Sequence, residues 1–175
     1  MRLAYRLNND ARRPISLVGR AYMPVERPRG SEVAVGLEWQ PVASLPLNIL
    51  IERRQRLGRD GRSDFGITAY GGLQRDIGRL RLEAYGQAGI VGIEARDLFA
   101  DGAARASLRA GPVELGAGAW GGAQPGVSRF DVGPQVSVRI PIGRTTMRAS
   151  ADYRFRILGD AAPRSRPALT ITTDF

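Results

Sequence analysis

A chain of 175 residues is long enough for one domain and short for two. With a mean hydropathy of -0.22 and no apolar run of about 18 residues, it offers no transmembrane helix. Cysteine and histidine are absent, which removes disulfides, thiolate catalysis, the usual general base and the usual metal ligands. All 26 basic residues are arginine against 17 acids, for a net charge of +9, so anionic partners are favoured. Guanidinium is always charged and grips carboxylate, phosphate or sulfate through a two-pronged fork.

From the N-terminus, Met1 to Arg6 has neither the apolar core nor the small-residue cleavage site of a secretory signal. Arg2 to Leu7 reads as the tail of a strand, and Asn8 to Arg13 as a short polar turn. Residues 1–13 are therefore expected to be the end of an upstream strand plus a periplasmic turn, within one domain covering 1–175. Ile15 to Met23 follows as a strand. Val33, Val35, Leu37 and Trp39 then share one face against Glu32, Ala34, Gly36, Glu38 and Gln40, the period of a strand and not of a helix. Leu47, Ile49 and Ile51 oppose Asn48, Glu52, Arg54 and Arg56, with Leu50 the exception. Phe65, Ile67, Ala69 and Leu73 oppose Thr68, Tyr70 and Gln74. Leu80, Leu82, Ala84, Ala88 and Ile90 alternate with Arg81, Glu83, Tyr85 and Gln87, and Ala104, Ala106, Leu108 and Ala110 with Arg105, Ser107 and Arg109.

Alternation persists to the end of the chain. Val113, Leu115, Ala117 and Ala119 face away from Glu114 and Trp120, and Val132, Val136, Val138 and Ile140 from Gln135, Ser137 and Arg139. Met147, Ala149, Ala151, Tyr153, Phe155 and Ile157 oppose Arg148, Ser150, Asp152, Arg154 and Arg156. Leu169, Ile171, Thr173 and Phe175 oppose Thr170, Thr172 and Asp174. Long polar links fall at 26–31, 58–63, 92–102, 121–129 and 158–166, and short ones at 42–45, 76–78, 111–112 and 143–144. Short periplasmic turns alternating with longer external loops are the habit of outer-membrane barrels. The expected fold is all-β: a transmembrane, antiparallel, up-and-down β-barrel of about ten strands in the bacterial outer membrane, in contact with its lipid. A first strand cut short would make it the C-terminal part of a larger barrel.

The residues that would face the bore carry the candidate chemistry. Arg54, Arg56, Arg81, Arg105, Arg109, Arg139, Arg148, Arg154 and Arg156 fall on that parity, with Glu52, Glu83, Glu114 and Asp152 among them. Partial pairing would leave a positive field that concentrates anions, suiting an acidic polysaccharide. Equally, cross-strand Arg/Glu pairs would simply fill and hold a narrow interior. Trp39, Tyr22, Tyr70, Tyr85, Trp120, Tyr153 and Phe155 are candidates for interfacial girdles. Of these, Tyr70, Tyr85 and Trp120 have inward parity, open to a filling or a sugar-stacking role. The glycine-rich run 116–122 lacks the ending of a phosphate loop and reads as a site of curvature or close packing. Nothing suggests a catalytic residue, a metal site or a cofactor, and the chain reads as a non-enzyme.

The last residues, with Leu169, Ile171, Thr173 and Phe175 on one parity, resemble the C-terminal signal by which outer-membrane proteins reach their assembly machinery. Such an amphipathic edge strand is capturable by strand addition. In addition, Val35-Gly36-Leu37-Glu38-Trp39-Gln40-Pro41 with Leu47-Asn48-Ile49-Leu50-Ile51-Glu52-Arg53-Arg54, and the ending from Pro163-Arg164-Ser165 to Phe175, are similar to the C-terminal domain of the bacteriophage adsorption protein A family. The resemblance implies an outer-membrane barrel related to polysaccharide-export proteins, preceded by periplasmic tetratricopeptide repeats, that secretes exopolysaccharide and serves phage as a receptor. Two other readings stand beside this porin-like exporter. One is a non-conducting structural or adhesive barrel. The other is a soluble basic β-protein that binds nucleic acid, which requires the apolar faces to pack together; no nucleic-acid partner is expected on the membrane reading.

Overall fold

Alternation at period two makes every segment between the turns a strand, and the structure, a computed structural model, contains no helix among the described residues 1–23, 31–57, 63–92, 97–143, 145–162 and 164–174. The strands are β1 (Arg2–Arg6), β2 (Ile15–Tyr22), β3 (Glu32–Trp39), β4 (Leu47–Arg56), β5 (Asp64–Ile77), β6 (Leu80–Val91), β7 (Asp97–Ala110), β8 (Val113–Gln124), β9 (Val127–Ile142), β10 (Thr145–Gly159) and β11 (Arg166–Asp174). They form one sheet in chain order, each strand beside its sequence neighbours, and the ladders between them are antiparallel. The segment expected to be a strand tail is β1, so the described strands number eleven. Closure is not borne out: the order is linear with β1 and β11 at its edges, and among the described residues no ladder joins them.

The chain gathers into two compact units, residues 1–71 with 87–99, and residues 72–86 with 100–175. In the first, the registers of β2 to β5 set Val18, Gly36, Glu52 and Gly66 in one cross-strand row. Directly opposite partners share a face, so the glycines flanking Glu52 leave space over the sheet for its side chain. Leu50 breaks the polar pattern of its face yet lies on it, buried opposite Thr68. In the second unit, Arg109, Glu114, Ser137, Ser150 and Thr170 form a corresponding row, in which the Ser137 and Ser150 hydroxyls lie 3.0 Å apart.

Burial within each unit is inverted relative to a protein dissolved in water. Glu52 and Glu114 are each 2% exposed, and Thr68, Asp131, Gln135, Ser137, Ser150 and Asp152 are buried too. Leu17, Val35, Leu37, Ile51, Phe65 and Ile67 of the first unit stand exposed, as do Leu108, Leu115, Val136, Val138, Tyr153 and Leu169 of the second. Scattered exposed leucines are ordinary, but a continuous apolar face over buried carboxylates is not.

Three links differ from expectation. Of residues 92–102, read as a long loop, 97–102 already belong to β7, where Ala100, Gly102 and Ala103 give little polarity contrast. Residues 121–129, read as a long loop, instead continue β8 to Gln124 and begin β9 at Val127, leaving only Pro125 and Gly126 as the turn. Proline presets the first corner, and Gly126 at φ +78° supplies the left-handed second corner that a type II turn needs. Alternation was hidden here because Gly121, Gly122 and Ala123 carry almost no polarity contrast. The 42–45 link is also longer than a tight turn, since β3 ends at Trp39 and β4 begins at Leu47. Gln40 holds it, donating from its amide to the carbonyl of Leu45 at 2.8 Å.

Candidate functional site

The sequence pattern that builds the polar face is an acid and an arginine two positions apart on one strand. Residues i and i+2 project to the same side, and here they do so four times. Arg54 Nε donates to Glu52 at 2.8 Å, Arg81 Nε to Glu83 at 2.9 Å, Arg129 Nε to Asp131 at 2.6 Å and Arg154 Nε to Asp152 at 2.6 Å. The acid takes the Nε corner in each case, which leaves the two Nη groups for other partners.

In the first unit, Arg20 adds its Nη2 to Glu52 at 2.9 Å, so one deeply buried carboxylate holds two arginines. Nearby on the same face, Glu38 accepts from both Arg2 and the Tyr70 hydroxyl. Arg56 is exposed at the end of β4, its backbone N–H donating to Ser63 Oγ.

The second unit holds the larger network, centred on Glu114. Arg109 Nε reaches it at 3.1 Å, Arg139 Nε at 3.4 Å, Arg148 Nη2 at 3.8 Å and Arg81 Nη1 at 3.9 Å. Glu83 pairs with Arg81 and takes both Nη groups of Arg148 at 3.0–3.1 Å, while Asp76 receives Arg109 Nη2 at 3.0 Å. Charges this far from water are tolerable only when each meets an opposite charge and most lone pairs are used. Farther along the face, the Arg154 guanidinium lies 4.5 Å over the Trp120 ring. Arg156 Nη1 donates to the Ala161 carbonyl at 3.0 Å, and Arg105 Nε is buried without a hydrogen-bond partner.

The structure thus gathers Arg81, Arg109, Arg139 and Arg148 with Glu83 and Glu114, pairs Arg54 with Glu52 and Arg154 with Asp152, and leaves Arg56, Arg105 and Arg156 outside those pairings. Arg2, Arg20, Asp76, Arg129 and Asp131 join the polar face without being among its sequence candidates, and Glu38, which parity puts on that face, proves to be ion-paired there. Arg129 and Asp131 carry the two-residue spacing that would have revealed them, had 121–129 not been read as a loop. Tyr70 and Trp120 stand on the polar face as their parity implies, Tyr85 is half-exposed, and Tyr153 and Phe155 pair on the apolar face with ring centroids 4.8 Å apart. Of the expected assembly signal, Leu169 and Ile171 are exposed along β11. Phe175 and the side chain of Thr173 lie outside the described residues.

Gly118 shows how the glycine-rich run serves this face. A Cβ there would meet the Trp120 six-membered ring at 2.5 Å, so the indole lies flat against a strand that only glycine keeps bare. Gly118→Val is therefore expected to push Trp120 off the face and separate it from Arg154, destabilising the fold by about 1–3 kcal/mol as overpacking does. A changed indole emission in a Trp39→Phe background, where Trp120 is the sole tryptophan, checks it.

No protein-family model matches the chain, and no curated protein matches it.

Proposed function

We propose that the chain is an outer-membrane β-barrel component with an arginine-rich, ion-paired bore, serving as a pore in the export of a surface glycan and exposing loops that phage can use as a receptor. The observation that carries the reading is the inverted burial: Glu52, Glu114, Asp131 and Asp152 are buried among arginines that are themselves only partly exposed, while leucine, isoleucine, valine and phenylalanine cover the opposite face. In water such a surface would aggregate; against lipid it is the favoured arrangement, with alternate residues facing acyl chains and an aqueous interior. A soluble nucleic-acid binder needs those apolar faces covered, and their exposure within each unit favours the membrane reading.

The glycan assignment rests on the resemblance of the β3 and β4 segments to the phage adsorption protein A family and on the arginine forks, which suit an acidic polymer. Lipid and the assembly machinery that captures β11 are the implied partners. The density of ion pairs around Glu114 favours a second reading, a non-conducting barrel held shut by its own side chains.

Planar-bilayer recording separates the two. The reconstituted chain is expected to conduct with an anion preference, and replacing Arg54, Arg139 and Arg154 together by Gln should move the reversal potential toward cations. Absence of conductance would favour the non-conducting barrel, and an unchanged preference would remove the arginines from the selectivity.

A further inference from the structure

Within the second unit, one stretch of the polar face leaves its hydrogen-bonding capacity unused. Trp120 and Asp131 are cross-strand partners, and so are Gln135 and Asp152. All four are more than nine-tenths buried. In each pair a donor and an acceptor lack a partner: Trp120 Nε1 with Asp131 Oδ1, and Gln135 Nε2 with Asp152 Oδ1. Native interiors leave few such atoms, so two matched pairs on adjoining strands ask for a ligand explanation.

The chemistry of that ligand follows from what is left open. Each carboxylate already has its other oxygen held by an arginine, Asp131 by Arg129 and Asp152 by Arg154, both at 2.6 Å. Their charge is therefore met, and the bare oxygen is an acceptor for a neutral hydroxyl more than a seat for a cation. A hydroxyl accepts from the N–H and donates to the carboxylate, which suits either pair.

Arg154 completes the group. Its side chain is 21% exposed, its only side-chain hydrogen bond among the described residues is from Nε to Asp152, and its guanidinium covers the Trp120 ring. The Nη edge is thus presented for a carboxylate, for which the fork is shaped. The pair atoms are not open to solvent, so access to them requires Arg154 to pivot about its Nε contact and slide off the indole.

We propose that Arg154, Trp120, Gln135 and Asp152 form a subsite for an acidic saccharide: the sugar carboxylate takes the Arg154 Nη edge, and neighbouring hydroxyls take the bare atoms of Gln135 and Asp152. This rests on the glycan-export reading and assigns that export pathway a specific grip on a uronic-acid residue.

The test uses the reconstituted chain carrying Trp39→Phe, so that emission reports Trp120 alone. Hexagalacturonate is the acidic probe and maltohexaose the neutral one. The acidic hexamer is expected to change Trp120 emission saturably as Arg154 leaves the ring, with maltohexaose giving no change. Gln135→Leu, which alters no charge, should weaken the response about tenfold, the loss of roughly one hydrogen bond. Arg154→Lys should weaken it at least as much, because an ammonium keeps the charge without the fork. No emission change, an equal response to maltohexaose, or a response indifferent to both substitutions overturns the subsite; the last would mean diffuse attraction to the other arginines. Conductance of the same preparation separates this from the pore reading. A conducting chain with no saccharide response loses the subsite alone, and a responding chain that does not conduct loses the pore alone.

Discussion

Replacing Glu114 by Gln should lower the resistance of the folded chain to urea, in detergent or in vesicles, more than any other single exchange of an acid for its amide in the second unit. Four arginines approach Glu114, and it is almost wholly buried. Breaking a fully buried ion pair costs about 3–5 kcal/mol; here about 1–3 kcal/mol is expected, because the arginines left behind are 12–36% exposed and most keep a second acid. The cost falls unevenly. Arg81 and Arg148 retain Glu83, and Arg109 retains Asp76, whereas Arg139 keeps only the Gly111 carbonyl at 3.2 Å. Arg139→Met in the Glu114→Gln background should accordingly recover part of the loss, since removing both members of a pair is cheaper than removing one. An unfolding midpoint unmoved by Glu114→Gln would mean that the arginines are solvated well enough to need no partner, and the face would then be far wetter than its burial indicates.

The strands were legible in the sequence because their two faces differ sharply. Leu47, Ile49 and Ile51 against Asn48, Glu52 and Arg54 admit a single register, and the structure has it. Legibility fails where that contrast fades: in Gly121-Gly122-Ala123 both parities are small, and the Pro-Gly turn that follows is indistinguishable by pattern from part of a long loop. The ends of β5 and β9 lie beyond the clear alternation for the same reason, since Arg75 and Pro141 break it. For the candidate site, parity assigned the arginines to a face but not to partners. Which carboxylate an arginine meets depends on register across several strands. Arg148 and Glu83, far apart in sequence, meet at 3.0 Å, and no spacing within either strand foretells it. The one partnership visible locally was the two-residue acid and arginine spacing, which recurs in β4, β6, β9 and β10.

The apolar face provides the sharpest contrast between membrane and water. Ile51 in β4 and Val136 in β9 lie in the interior of their strands and are 41% and 39% exposed. If that face met water, changing either residue to arginine would alter stability by no more than about 0.5 kcal/mol, as exposed substitutions generally do. Facing acyl chains, the same change is expected to cost about 2–4 kcal/mol near the bilayer midplane, and less toward either rim. Ile51→Arg and Val136→Arg should therefore both impair folding into vesicles, while an arginine at Leu98, only one residue into β7, should be tolerated far better. The comparison is made on variants of equal added charge, so general electrostatic effects cancel and depth remains. Equal tolerance at all three positions would place this face in water and remove the physical basis for a membrane-spanning sheet. A graded response would tie the exposed leucines, isoleucines and valines to lipid, and the buried carboxylates behind them to the opposite, polar side of the same strands.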